Sequence, residues 1–153
     1  MRTGVRLGVD VGKVRIGLAR SDPHGMLATP VETVQRGRGD LVRIAQLAAA
    51  IDAVEIVVGL PIALSGRDTP STDDARGFAA QIARDLGIAV RMVDERLSTV
   101  SANSALRASG RNAKNSRSVV DQVAAVIILQ HALDFERAAG SPPGLIVDTS
   151  EGS

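Results

Sequence analysis

The sequence predicts an α/β fold: a mixed five-stranded sheet of three antiparallel and then two parallel strands, with helices on both faces. Three strand-like segments joined by short loops open the chain, which is typical of an antiparallel meander. Two later strands each follow a helical pattern, so we expect crossover connections to add them in parallel. With 153 residues, 44% of them apolar, we expect one domain over residues 1–139 and a flexible C-terminal tail over residues 140–153.

The first three strands are predicted from the alternation of apolar and other side chains. Residues 5–10 alternate in this way, and residues 14–18 alternate again after Gly12, which permits a tight turn. Residues 4–20 therefore predict a hairpin. A third short strand is expected over residues 27–34, after a connection that prolines and a glycine interrupt.

The middle of the chain alternates helical patterns with short apolar runs. A helix is expected over residues 41–51 with Asp40 as its N-cap, and a buried strand follows over residues 55–60. A second helix over residues 72–86 then leads to another strand over residues 88–93.

The last part of the chain predicts helices over residues 99–108 and 119–138, of which the second carries a dense apolar face. No apolar run is long enough to span a bilayer. The N-terminus lacks the apolar stretch and cleavage site of a signal peptide. We therefore expect a cytoplasmic protein without a membrane partner.

The composition excludes several kinds of site. The chain has no cysteine, which rules out disulfide frameworks, zinc–thiolate sites and thiol catalysis. It has two Phe and neither Tyr nor Trp, so stacking of successive bases on aromatic rings is almost excluded. Any nucleic acid would be held through phosphates, bound metal and shape, and its binding should weaken steeply with salt. The net charge of +1 favours no class of partner.

Three carboxylates fall at unusual places in the predicted fold. Asp10 ends the first strand, where it is either a turn residue or a functional group. Asp94 and Glu95 end the last strand, and alternation lets only one of them point with Asp10, without deciding which. Asp121 starts the final helix, where an acid suits the helix dipole. It also lies on the core-facing stripe, where a carboxylate is costly unless paired, protonated or bound to a cation.

These carboxylates could converge at one edge of the sheet, and no cluster of histidine or cysteine accompanies them. Oxygen ligands alone suit Mg²⁺ or Mn²⁺. A carboxylate cluster that holds such ions is typical of two-metal phosphodiester cleavage, in which one ion activates water and the other stabilises the leaving oxygen.

A basic stretch precedes Asp121 in the sequence. Residues 96–118 contain no Asp or Glu and are rich in small and polar residues. Such a segment is either an ordinary solvated loop or a contact for a phosphate backbone, and the absence of acids favours the second interpretation. Its cations are Arg96, Arg107, Arg111, Lys114 and Arg117.

Four motifs in order resemble the YqgF/RuvX family of Holliday junction resolvases, also described as pre-16S rRNA nucleases. The resemblance runs from about residue 5 to residue 135. The motifs are Leu7-Gly8-Val9-Asp10-Val11-Gly12 continuing through Arg15-Ile16-Gly17-Leu18-Ala19 to Ser21-Asp22, then Val57-Val58-Gly59-Leu60-Pro61, Asp94-Glu95-Arg96-Leu97-Ser98-Thr99, and Asp121-Gln122-Val123-Ala124-Ala125 continuing to Gln130.

The resemblance implies an RNase H-like fold and a metal-dependent nuclease, with Asp10, Glu95 and Asp121 as catalytic residues and as ligands of Mg²⁺ or Mn²⁺. It thereby selects Glu95 over Asp94. Lys13 and Arg15, in the first motif, are expected to bind nucleic acid together with the basic stretch. The chain departs from the family pattern at residues 13–15 and after Pro61, which concerns the phosphate contacts and not the acids.

The expected function is therefore hydrolysis of phosphodiester bonds in structured nucleic acid, either in processing of pre-16S rRNA or in Holliday junction resolution. The alternative is a non-catalytic RNA-binding ribosome-maturation factor that retains the fold. A junction resolvase would act as a homodimer, because its substrate has two equivalent strands, whereas an RNA-processing enzyme could be monomeric. A phosphotransferase would need a second domain to close over its nucleotide, and 153 residues do not supply one.

Overall fold

A computed structural model of the chain describes residues 2–95 and 116–147. Its sheet has the strand order β3-β2-β1-β4-β5-β6. The first three strands are antiparallel, β1, β4 and β5 are parallel, and β6 is antiparallel to β5. This confirms the predicted mixed α/β fold. The strands are β1 (Arg6–Val11), β2 (Arg15–Ser21), β3 (Ala28–Gln35), β4 (Glu55–Leu60), β5 (Ala89–Asp94) and β6 (Leu145–Ile146), and the described helices are α1 (Asp40–Ala50), α2 (Pro70–Leu86) and α3 (Ser116–Ala139).

The sheet has six strands where the sequence predicts five. The additional strand, β6, lies in the segment expected to be a tail, and Leu145 pairs with Met92 of β5. The backbone N–H of Val147 also donates to the carbonyl of Val90 at 2.8 Å. Two residues are too short a strand for any periodicity to predict. The boundary of the domain at residue 139 stays a prediction.

The starts of α1 and α2 differ from the prediction. Asp40 is the first residue of α1 and not its N-cap, because Gly39 takes the cap position in a left-handed conformation. Helix α2 begins at Pro70, two residues early, because Thr69 and Thr72 form a reciprocal capping box. The helix predicted over residues 99–108 lies outside the described residues.

The helices cover the sheet on both faces, as predicted. Helices α1 and α2 pack over one apolar face of the sheet, and α3 packs over the other. Within the described residues, no helix is both long and apolar enough to cross a bilayer. The alternation of each strand decides which side chains meet α3. Under α3 lie Ala19, Val57 and Val93, against Ala125, Ile128 and Leu129.

Buried ion pairs fix the C-terminal half of α3 to the sheet. Arg2 donates to Glu136 of α3 at 2.7 Å and to Glu55 of β4 at 3.0 Å. The guanidinium of Arg6, only 1% exposed, lies 3.4 Å from the same Glu136 carboxylate. These contacts hold the pKa of Glu136 at about 2, chiefly through the hydrogen bond from Arg2. Helix α3 is thereby anchored at the end of the sheet opposite to Asp10.

Glycines let the N-terminal half of α3 approach the sheet. A Cβ atom at Gly17 of β2 would overlap the carbonyl oxygen of Asp121, and one at Gly8 of β1 would lie 2.8 Å from the Leu129 side chain. Because real Cβ contacts are longer than this, neither strand could carry a side chain there without moving α3. The position of Asp121 over β2 therefore depends on Gly17.

We predict that Gly17→Ala destabilises the protein by about 3 kcal/mol or more, because the new methyl group meets backbone atoms that cannot rotate away. Denaturant unfolding of the purified variant measures this. The matched control is Gly77→Ala: Gly77 is exposed within α2 with nothing near its Cβ position. That change should stabilise by roughly 0.5–1 kcal/mol. Equal effects of the two substitutions would contradict the close contact.

Candidate active site

Asp10 occupies the end of the central strand β1, beside Gly17 of β2. Its side chain shares the face of Gly8, which lies under α3. Burial raises the pKa of the Asp10 carboxyl, and the nearby negative charge of Asp121 raises it further, although a hydrogen bond with Glu95 partly opposes both effects. Burial thus favours the neutral form of Asp10, and the hydrogen bond with Glu95 partly stabilises its ionised form.

Glu95 follows directly after β5 and hydrogen-bonds to Asp10. Burial, followed by the charge of Asp10, raises the pKa of Glu95 to about 8. Gly59 of β4 makes room for this side chain, since a Cβ atom there would lie 2.9 Å from its Cγ and Cδ atoms. The structure therefore brings Glu95 into contact with Asp10. The raised pKa of Glu95 favours retention of the proton in the hydrogen bond between the two carboxyls.

Asp121 lies in the second turn of α3, because the helix begins at Ser116, three residues earlier than predicted. A favourable interaction with the helix dipole fades beyond the first turn and does not explain an acid at this depth. Its partner is Arg15, which donates from Nε to Oδ2 at 2.8 Å. The Asp121 carboxylate is 18% exposed, so water reaches the site.

The three acids approach one another without forming a ready metal site. Among the described residues, no three carboxylate, histidine or cysteine side chains are grouped so as to hold a metal ion. Two contacts hold these acids: Asp10 is hydrogen-bonded to Glu95, and Arg15 donates to Asp121. All donor atoms are carboxylate oxygens, a set that prefers hard cations such as Mg²⁺ and Mn²⁺.

The predicted nucleic-acid-binding residues are only partly described. Lys13 is exposed in the turn between β1 and β2, close enough to Asp74 to help lower the pKa of that carboxyl. Arg15 contacts Asp121 and is half-buried. Helix α3 contains Arg117, but its side chain is outside the described residues, as are Arg96, Arg107, Arg111 and Lys114.

Arg36 supports the site although no motif points to it. Its guanidinium donates to the Gly12 carbonyl at 2.8 Å and to both oxygens of Asp74 at 2.8 and 3.0 Å. It also lies 4.9 Å from the centre of the Phe78 ring. Arg36 thereby attaches the turn that carries Lys13 to helix α2. The signal available in the sequence, an arginine directly before a glycine-rich loop, also fits an ordinary loop.

The strand order and the placement of helices define an RNase H-like protein. A solved structure of RuvC from T. thermophilus, in complex with a Holliday junction substrate, matches with a TM-score of 0.59 and 17% identity. The match covers 93% of this chain and 99% of that chain, and at this identity it establishes the fold alone. The sequence adds the family: the model of the RuvX family, described as Holliday junction resolvase, matches residues 4–135. The chain belongs to the RuvX family.

Relatives resemble nearly the whole chain. A protein of Clavibacter sepedonicus, provisionally named pre-16S rRNA nuclease, is 68% identical over 150 residues, which cover 96% of this chain and 93% of that protein. A protein of the same name from Leifsonia xyli subsp. xyli is 63% identical over 146 residues and covers 94% of each. The predicted family is confirmed.

We predict that the free energy of unfolding of the metal-free protein decreases as the pH rises from about 4.5 to about 8. Over this range the folded protein keeps the Glu95 proton that the unfolded chain has lost, so the folded state binds more protons and loses stability as they become scarce. Thermal unfolding in EDTA measures this. Glu95→Gln should flatten the decrease, because an amide has no proton to lose, whereas Asp52→Asn, at an exposed turn, should retain it. A wild-type slope in the Glu95→Gln variant would contradict the shared proton.

Proposed function

We propose that the protein is a metal-dependent endonuclease that hydrolyses phosphodiester bonds in structured nucleic acid, with Asp10, Glu95 and Asp121 as its catalytic metal ligands. The observation that carries this proposal is the Asp10–Glu95 pair. The fold holds two carboxyls in contact, with the negative charge of Asp121 nearby. Such a cluster is more typical of a functional centre than of a structural one.

The donor set supports Mg²⁺ or Mn²⁺ as cofactor, with a two-metal site expected. The three acids supply only oxygen, which these ions prefer, and like-charged carboxylates in contact are stabilised by a cation between them. Bound ions of this kind would activate the attacking water and stabilise the leaving oxygen.

The protein's own residues would position this centre, and Glu95 would have to lose its proton. Asp10 is fixed by strand pairing on both sides, to β2 and to β4. Glu95 has to release its shared proton before it can act as a ligand, because metal ligands are deprotonated. Since the pKa of Glu95 is about 8, alkaline conditions favour the ionised pair.

For the substrate we propose precursor 16S rRNA, supported by the names of relatives that are 68% and 63% identical to this chain. The four-way DNA junction is the second candidate, and the description of the family supports it. Lys13 and the basic stretch 96–118 would contact phosphates in either case. A junction substrate would call for a homodimer, and precursor rRNA for a cytoplasmic protein.

We predict that Asp10→Asn lowers the cleavage rate at least about 100-fold, beyond the effect usual for groups that only support a metal ligand. Gel assays with Mg²⁺ or Mn²⁺ on a precursor 16S rRNA fragment and on a four-way junction measure this. Asp52→Asn is the matched control, because Asp52 is exposed and its left-handed backbone suits Asn. It should cleave at the wild-type rate.

The same assay separates the candidate functions. Cleavage of the rRNA fragment alone selects the first substrate, and cleavage of the junction by a protein of dimer mass in solution selects the second. Full activity of Asp10→Asn would refute the site. Metal-independent RNA binding without cleavage of either substrate would instead identify a non-catalytic ribosome-maturation factor.

A further inference from the structure

We propose that Arg15 is a positioning residue that holds Asp121 as an internal counter-ion and competes with the divalent metal for this carboxylate. The released guanidinium then becomes available to a substrate phosphate. The inference rests on the proposed function, since the competing cation is the proposed metal, but it concerns a contact that is present in the protein itself.

The backbones of both partners are fixed. Arg15 begins β2, and its carbonyl accepts the N–H of Gly12 at 2.9 Å, which closes the turn after β1. A Cβ atom at Gly12 would lie 2.6 Å from that carbonyl oxygen, so the turn depends on glycine there. The backbone of Asp121 rests on Gly17. The two groups can therefore separate only by rotation of their side chains.

The contact between the side chains is a single hydrogen bond. Arg15 uses Nε alone, and its terminal nitrogens donate to no acceptor among the described residues. By contrast, Arg36 grips Asp74 with two nitrogens on two oxygens. Bidentate pairs of that kind are stronger and geometrically more specific than one-point contacts. The Arg15–Asp121 pair is thus weaker than the Arg36–Asp74 pair and easier to separate.

The Arg15–Asp121 ion pair is partly exposed, so a metal ion from solvent could reach Asp121 and replace Arg15. The Arg15 and Asp121 side chains are 27% and 18% exposed, and ion pairs that water reaches contribute little net stability. Arg15 brings one positive charge to a region that holds three carboxylates. A divalent cation brings two charges to the same oxygens and repels the guanidinium, so Arg15 and the metal are alternatives at Asp121.

The terminal nitrogens of the guanidinium, which make no hydrogen bond within the described residues, give the released side chain a second role. Its two terminal nitrogens carry N–H donors in the planar arrangement that suits phosphate oxygens. This assigns the predicted nucleic-acid contact of Arg15 to the metal-bound protein, after the residue has left Asp121.

Calorimetric titration of the full chain with Mn²⁺, in the absence of nucleic acid, tests the competition. Arg15→Gln should bind Mn²⁺ about three- to tenfold more tightly than wild type, because the competing cation is gone. Arg20→Gln is the matched control: Arg20 is an exposed arginine on the same strand without an ion pair among the described residues. It should change the Mn²⁺ affinity by less than about twofold. Thermal unfolding in EDTA checks that each variant is folded.

Arg15→Lys keeps the charge but replaces the planar guanidinium, so its Mn²⁺ affinity should lie between those of wild type and Arg15→Gln. Unchanged or weaker Mn²⁺ binding by both Arg15 variants would overturn the proposal, even if the wild type cleaves nucleic acid. Tighter binding by the variants together with no cleavage by the wild type would uphold the role of Arg15 and refute the nuclease. Absence of Mn²⁺ binding in all proteins would overturn both.

Discussion

The contact of α3 with the glycines of the sheet is the constraint on which the site depends. Where most helices rest on a sheet through side chains, α3 meets Gly17 with its own backbone at Asp121. If a side chain at position 17 held α3 farther from the sheet, Asp121 would lie farther from Asp10. The electrostatic interaction between the two acids would then weaken. The ion pairs of Glu136 fix the other end of α3 to the sheet, so the helix is held at two points.

Charge is the second constraint, and the two ends of α3 treat it differently. Around Glu136, arginines form ion pairs with the carboxylates of Glu136 and Glu55, and the pKa of Glu136 falls to about 2. At Asp10 two carboxyls lie in contact, and burial together with the charge of Asp10 raises the pKa of Glu95 to about 8. One end is therefore a completed structural network, whereas the other stores unfavourable electrostatic energy. Energy stored in this way weakens the fold and is retained where function requires it.

The sequence predicts the antiparallel and parallel pairing of the first five strands and the core-facing stripe of α3, because alternation and helical spacing record burial directly. It also placed Asp10, Glu95 and Asp121 as candidates, although the choice between Asp94 and Glu95 came from a resemblance. The pairing of Arg15 with Asp121 could not be predicted, because it joins residues 106 positions apart through one side-chain rotamer. The two-residue strand β6 could not be predicted either, because it pairs with a distant strand. The cap at Thr69 is local, but Thr72 stands where the capping-box signature has Glu or Gln.

The separation between Arg15 and Asp121 also determines when the site exists during synthesis. Chains fold as they emerge, and contacts between distant segments form last. The hairpin of β1 and β2 can form early, but Asp10 receives its neighbours only after β5 and then α3 have left the ribosome. An incomplete chain therefore lacks the assembled carboxylate cluster until α3 has folded onto the sheet.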